Sequence, residues 1–362
     1  MRFLFDTEHK DAVSTVINLV NFRRLEAIDG VTFTAFADDY ENHDVILFMA
    51  YDPKVAAARA ANPNAKIGIV DIRPGGFEVA DGADFLVSNG PEMTAFASRH
   101  FSNTIEYPIY PEALPTDTRP RSSAPLVIGY HGNKAHAVAM FPMVTRALEE
   151  LAKTFPIELR LIYNVEKLGP IPEPYRVREP VSVRVIDWHP EVYQQELAES
   201  DIGIVPNLTP LHDLKQAERL TAPRDRQFGA HPSEYLTRYK ATSNAGRLLT
   251  FAQLGIPVVA DLFPSAAMVI RNGETGYLAH DAFGWYQALH RLCASPALRR
   301  RIGQALRDEF EERYAVPRLN ERLVAFCRDL PPVVTAPDSL ADAQALFEER
   351  DRPAAARSKG WW

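Results

Sequence analysis

The chain has 362 residues, 46% hydrophobic and 24% charged, with a formal net charge of −7 at pH 7. A chain of this length and composition builds more than one hydrophobic core, and its negative balance excludes a dedicated nucleic-acid binder, whose affinity comes from a basic surface that neutralises phosphates. Only two cysteines occur, Cys293 and Cys327, each in a segment of helical periodicity, which excludes a disulfide framework and points to buried thiols in a reducing, cytoplasmic compartment.

In chain order, the opening MRFLFDTEHKDA has too short an apolar run for a signal peptide. No later segment approaches the roughly 18 apolar residues of a membrane helix, so any membrane association is expected to be peripheral, through a surface patch. Strand-like runs at 2–5, 31–35, 45–49, 66–70, 85–88 and 103–107 alternate with helical runs at 11–26, 53–61 and 91–100, the pattern of an open parallel sheet. Prolines at 108, 111, 115, 120 and 125 then mark a boundary, giving a first domain at 1–115 and a linker at 116–124.

The alternation restarts in a second domain, 125–330. Strands are expected at 126–130, 158–163, 181–186 and 202–205, with helices at 135–155 and 191–199. The polar, proline-containing stretch 206–238 is too long for a plain connector and reads as a functional flap with some helix. An apolar helix ending at Gly255 leads into a buried strand at 256–260, a further strand at 276–279, and helices at 282–293, 296–314 and 316–329. The tail 331–362 combines a short amphipathic helix with a polar end and is expected to be loosely held.

The densest chemistry lies at 239–260, YKATSNAGRLLTFAQLGIPVVA. Lys240, Ser243, Asn244 and Arg247 cluster at the entry to the apolar helix, where backbone N–H groups carry partial positive charge and Ser or Asn makes a good cap. The segment reads as a phosphate cradle. No metal cluster is indicated: His131 and His136 lie five apart, and His189 and His212 are isolated. There is no Walker-type loop and no G-x-G-x-x-G after the first strand. The run 299–301 reads as the charged face of a surface helix.

The series VIGYHGNKAH, VIDWHPEVYQQELAESDIGIVPN, KATSNAGRLLTFAQLGIPVVA, NGETGYLAHD and SPALRRRIGQALRDEFEERY resembles the nucleotide-sugar-binding domain of retaining GT-B glycosyltransferases of the family 4 type. The resemblance covers roughly 125–329. It implies an α/β chain of two Rossmann-like domains facing each other across a cleft, which transfers a sugar from a nucleotide-sugar donor to a glycan, lipid-linked or small-molecule acceptor without a cofactor or metal, in keeping with the missing DxD motif. In that family a Gly-containing turn after the domain's first strand and a basic pair reach the diphosphate. Carried over, these are His131, Gly132, Asn133 and Lys134 on one side, and Lys240, Ser243, Asn244 and Arg247 on the other, with His131, Lys240 and Arg247 as the catalytic candidates. Asp187 and Trp188 stand where family members read the base.

One departure is plain. The family usually carries two glutamates eight positions apart around this helix, beside the donor sugar and the ribose, and this chain has Thr242 and Thr250 there. Threonine offers a hydroxyl but no charged acceptor. The chain reads as a divergent enzyme; the alternatives are a non-catalytic GT-B module that binds a glycan or a partner glycosyltransferase, and a sugar-nucleotide epimerase on the same fold. For the acceptor, the loops after the first-domain strands offer Asp6, Thr7, Glu8 and His9, then Tyr51 and Asp52, then Asp71 and Arg73. Asp71 and Arg73, beside flexible glycines, are the most site-like, whereas Asp6 and Asp52 read as solvated loop or cap residues.

Overall fold

The computed structural model describes residues 1–72, 77–97, 101–112, 124–189, 192–207 and 243–331. Arg73, Lys240 and Thr242 lie outside the described residues, as do the expected linker apart from Ala124, the expected flap beyond Asn207 and the tail beyond Pro331.

Two compact units are formed. The first carries β1 (Arg2–Asp6), β2 (Thr32–Ala35), β3 (Val45–Met49), β4 (Lys66–Val70), β5 (Phe85–Ser88) and β6 (Thr104–Glu106), with helices α1 (Val13–Arg23), α2 (Val55–Ala61) and α3 (Pro91–Ala97) between them. The strands form one parallel sheet in the order β2-β1-β3-β4-β5-β6. The central strand, VILFM, is buried at every residue, because a parallel sheet covered on both faces demands a continuous apolar run rather than an alternating one. In α1 the usual arrangement is inverted: Thr15, Asn18 and Asn21 are buried, while Val13, Val16 and Val20 are exposed.

The second unit is built on β7 (Leu126–His131), β8 (Ile157–Tyr163), β9 (Ser182–Asp187), β10 (Ile202–Val205), β11 (Val258–Asp261) and β12 (Tyr277–Ala279). They too form a parallel sheet, in the order β12-β11-β10-β7-β8-β9. The single helix expected over 135–155 is two, α4 (Lys134–Val138) and α5 (Met143–Leu151). Pro142 parts them, since it lacks an N–H and disfavours helical backbone in the residue before it. Helices α6 (Val165–Leu168), α7 (Tyr193–Ala198), α8 (Gly246–Gln253), α9 (Pro264–Val269), α10 (Ala282–Ala294), α11 (Pro296–Arg313) and α12 (Val316–Arg328) follow; α6 and α9 have no counterpart in the sequence reading.

Leu148 and Leu151 of α5, Leu159 and Leu161 of β8, and Trp285 and Leu289 of α10 form the heart of this unit's core. Full burial of each such side chain stabilises the fold by about 2 kcal/mol. Arg299 corrects the reading of 299–301 as a solvated face: it is buried, donates to the carbonyls of Leu292 (2.8 Å) and Cys293 (3.2 Å), and lies 3.9 Å from Asp201. The cysteines are free and buried.

Helix α12 begins in the second unit and ends in the first. The described residues from Glu321 to Pro331 group with the first unit, where Lys66 Nζ donates to the Cys327 carbonyl, Phe326 packs edge-on against Phe85, and Asn103 Nδ2 donates to Pro331 O at 3.0 Å.

Strand order determines where each unit offers a crevice. From β7 the chain moves outward through β8 and β9, then returns to β10 on the other flank of β7 and continues through β11 and β12. The direction therefore reverses between β7 and β10, and ligands of open α/β sheets bind beyond the carboxyl ends of the strands at such a switch point. In the first unit the corresponding point lies between β1 and β3.

Candidate functional site

At the carboxyl end of β7 the chain runs Tyr130, His131, Gly132, Asn133. Gly132 has φ +134°, and a Cβ there would approach Arg247 Cδ to 2.7 Å, so glycine answers both a backbone requirement and a close approach. Asn133 caps α4 by accepting from the Ala135 N–H at 2.9 Å, and the Tyr130 hydroxyl donates to the Asn133 carbonyl at 2.6 Å. The Lys134 amine donates to the Leu168 carbonyl at 2.6 Å, so it ties α4 to the end of α6.

Arg247 enters this turn from the first turn of α8. Its Nη1 donates to the Pro206 carbonyl and its Nη2 to Asn207 Oδ1, each at 2.8 Å, and the guanidinium lies 6.0 Å from the Tyr130 ring centroid. Pro206 and Asn207 directly follow β10, so this one side chain spans the β7–β10 switch point. Burial lowers the pKa of Arg247, opposed by the charge of Asp261, but a guanidinium remains charged across the ordinary pH range. Asn244 Oδ1 accepts from the Gly246 N–H at 2.8 Å, shaping the entry to α8, and Ser243 is buried.

His131 plays a different part from the sugar or phosphate contact expected of it. Its Nε2 faces the Arg247 carbonyl at 3.0 Å, and its ring packs against Phe251 and Tyr193. A carbonyl only accepts, so Nε2 carries the proton. Burial, first of all, lowers the imidazole to about 4. The ring is neutral at pH 7 and acts as a strut between β7 and α8, with no cationic charge for a phosphate.

Two further expectations are redirected. Asp187 accepts from the backbone N–H groups of Val165 (2.6 Å) and Glu166 (3.1 Å) and pairs with His189 at 3.1 Å. Those bonds, that from Glu166 first, hold its carboxyl below the usual range; it caps α6. Trp188, half-buried, packs on Tyr193 with centroids 5.4 Å apart. Thr250, where the resemblance leads one to expect a glutamate, is fully buried, its hydroxyl donating to the Gly246 carbonyl at 3.0 Å, so its side chain faces its own helix and core.

Residues that the sequence reading passed over complete the site. Asp261, at the end of β11, accepts from the Asn207 N–H at 2.6 Å through Oδ2 and from the Trp285 indole N–H at 2.9 Å through Oδ1. An acidic residue closing the apolar run VVA was the available signal. For Asn207 it was the position directly after strand IGIV.

In the first unit, Asp71 is fully buried and left-handed (φ +59°), with its carboxylate accepting from Asn89 Nδ2. That geometry gives the residue a structural part as a corner of the fold. Asp6 and Asp52, by contrast, stand at the β1–β3 switch point. Asp6 is buried and accepts from the Tyr40 hydroxyl at 2.8 Å, while Asp52 accepts from the Thr7 hydroxyl at 2.7 Å and from the Glu8 N–H. Neither is merely solvated.

Among the described residues, no group of three or more His, Cys, Asp or Glu side chains is arranged to hold a metal ion, and no helix is long and apolar enough to cross a membrane.

No protein-family model and no curated protein matches the sequence. Solved structures do. The chain is similar to HepE from Anabaena, determined with UDP and glucose, at 12% identity and a TM-score of 0.59 over 91% of this chain and 100% of that one. It is similar to sucrose-phosphate synthase from Thermosynechococcus elongatus at 12% identity and a TM-score of 0.53, over 91% and 98% of the two chains. A glycosyltransferase from Rickettsia africae aligns at 11% identity and a TM-score of 0.53, over 90% and 84%. Likeness at these identities is one of fold, and the fold is GT-B: two Rossmann-like domains, each on a six-stranded parallel sheet.

Proposed function

We propose that the protein is a glycosyltransferase whose donor is a nucleoside diphosphate sugar, bound in the second domain where β7, β10 and α8 converge. The observation that carries the reading is Arg247, whose stem passes Gly132 and whose guanidinium spans the β7–β10 switch point, held by the carbonyl of Pro206 and the amide of Asn207. A planar cation beside a helix start suits a diphosphate leaving group, and fixed donors stabilise the charge that develops on it as the glycosidic bond breaks. The UDP and UDP-glucose complexes of HepE on the same fold support a uridine nucleotide.

In this reading transfer proceeds with retention, as the resemblance to the family 4 type implies. The acceptor hydroxyl attacks the anomeric carbon from the face the diphosphate leaves, and its proton passes to the departing phosphate oxygen, so no protein nucleophile is required. A glycan, lipid-linked or small-molecule acceptor belongs to the first domain, with Thr7, Tyr51 and Asp52 at that domain's switch point as the residues to test. The exposed valines of α1, at positions 13, 16 and 20 with Lys10 before them and Arg23 and Arg24 after, support peripheral attachment to a membrane surface. The free thiols support a cytoplasmic location.

A second reading, the non-catalytic GT-B module, draws on Thr250, which puts a buried hydroxyl where the family has a carboxylate. Incubation of the purified protein with UDP-, GDP-, ADP- and dTDP-sugars decides between them. Sustained release of one nucleoside diphosphate, lost in Arg247→Ala, supports the enzyme; tight glycan binding without release from any donor supports the module.

A further inference from the structure

Arg247 is held by two groups on one short turn, the Pro206 carbonyl and the Asn207 side chain. That turn leaves the end of β10 and is itself anchored. The Asn207 N–H donates to Asp261 Oδ2 at 2.6 Å, and the second oxygen of the same carboxylate accepts from the Trp285 indole N–H at 2.9 Å. Asp261 is 2% exposed, Asn207 3% and Trp285 0%, so the chain of bonds lies in surroundings of low dielectric where each is strengthened and where an unmatched partner is costly. Trp285, on α10, is fully buried in the core cluster it shares with residues of α5 and β8, giving the carboxylate a rigid backing.

We propose that Asp261 is a positioning residue for the nucleoside diphosphate: it fixes the Pro206–Asn207 turn against Trp285 and so holds the Arg247 guanidinium at the β7–β10 switch point, where the diphosphate binds. This rests on the donor-site reading above. Asp261 touches no diphosphate itself. Its contribution is to preorganise the cation and to balance its charge in the interior, as the favourable influence of Asp261 on the charged form of Arg247 indicates. An amide in its place keeps the shape but presents an NH2 group to one of two N–H donors, so one bond is replaced by a repulsion and the turn loosens.

The test is a double-mutant cycle on affinity for UDP, or for whichever of UDP, GDP, ADP and dTDP the wild type binds most tightly, with thermal stability measured alongside. Asp261→Asn is expected to weaken binding about tenfold, the loss of one charged hydrogen bond, and to raise donor KM more than it lowers kcat. In the Arg247→Ala background the same change is expected to cost less than about twofold, because the residue it positions is gone. A merely structural role would persist there undiminished. Equal losses in both backgrounds, or wild-type affinity in Asp261→Asn while Arg247→Ala is impaired, overturn the inference and leave the donor site standing. Wild-type affinity in Arg247→Ala, or no binding of any of the four nucleotides by the wild type, overturns both. If Asp261→Asn does not fold, Trp285→Phe, which removes the indole N–H that holds Asp261 Oδ1 and leaves Arg247 and Asn207 in place, tests the same linkage from its other end, with the same outcomes.

Discussion

The imidazole of His131 donates from Nε2 to the carbonyl oxygen of Arg247 over 3.0 Å, so the residue that ends β7 steadies the backbone of the residue whose side chain crosses from α8 to the end of β10. One bond thus ties the first strand of the second domain to the helix start that faces it. The guanidinium is left to Pro206 and Asn207.

This bond has a pH signature. The buried ring titrates at about 4, against about 6.5 when unfolded, so between those values the unfolded chain binds a proton that the folded chain refuses. Stability is complete above about pH 6.5 and declines as pH falls toward 4, by on the order of 3 kcal/mol from this group. His131→Gln, whose amide nitrogen replaces Nε2 without titrating, is expected to flatten that limb of urea-denaturation midpoints against pH. An unchanged limb would assign the loss to other groups.

Gly132→Ala is expected to lose about 1–3 kcal/mol for its left-handed backbone and to push the Arg247 stem out of place. Nucleoside diphosphate affinity should fall together with the melting temperature. Reduced stability with intact affinity would show that Arg247 acts elsewhere.

Arg247→Ala is expected to weaken nucleoside diphosphate binding by about 1.5–3 kcal/mol, the range of a hydrogen bond to a charged group. Arg247→Lys should recover only part of this, because an ammonium cannot span two acceptors as a planar fork does. Calorimetric titration with UDP reads both.

Thr250 is enclosed by its own helix and the core, surroundings that forbid a carboxylate. Thr250→Val loses only a hydroxyl bonded within its own helix and should cost about 1 kcal/mol or less. Thr250→Glu would bury a carboxylate at a fully enclosed position and should cost about 3 kcal/mol or more with no gain in donor turnover. A stable, faster Thr250→Glu enzyme would show instead that the position opens onto the donor.

At Asp71, where φ is +59°, asparagine tolerates the left-handed backbone and alanine does not. Asp71→Asn should therefore remain closer to wild-type melting than Asp71→Ala, by about 1 kcal/mol or more, with acceptor KM unchanged in the asparagine variant. A raised KM there would restore Asp71 to the acceptor site.

Much of the architecture was legible in the chain because parallel strands buried on both faces leave an unmistakable record. Runs such as VILFM at 45–49 and IGIV at 202–205, separated by helical periods and divided by the proline-rich stretch near 108–125, announce two α/β domains. The polar, basic character of the entry to the helix that carries Arg247 was legible directly from the residues at 243–247. What the sequence could not disclose is which strands become neighbours. Strand order placed the switch points between β7 and β10 and between β1 and β3, and so brought Asn207 and Asp261 to Arg247 across intervals of 40 and 14 residues. Burial, likewise a property of packing, turned Asp187 into a cap, His131 into a neutral strut and Asp71 into a corner. The sequence by itself determined the elements and the chemical character of the site; tertiary structure alone decided which polar side chains are spent holding the fold and which are held toward a ligand, because that choice depends on partners distant in the chain.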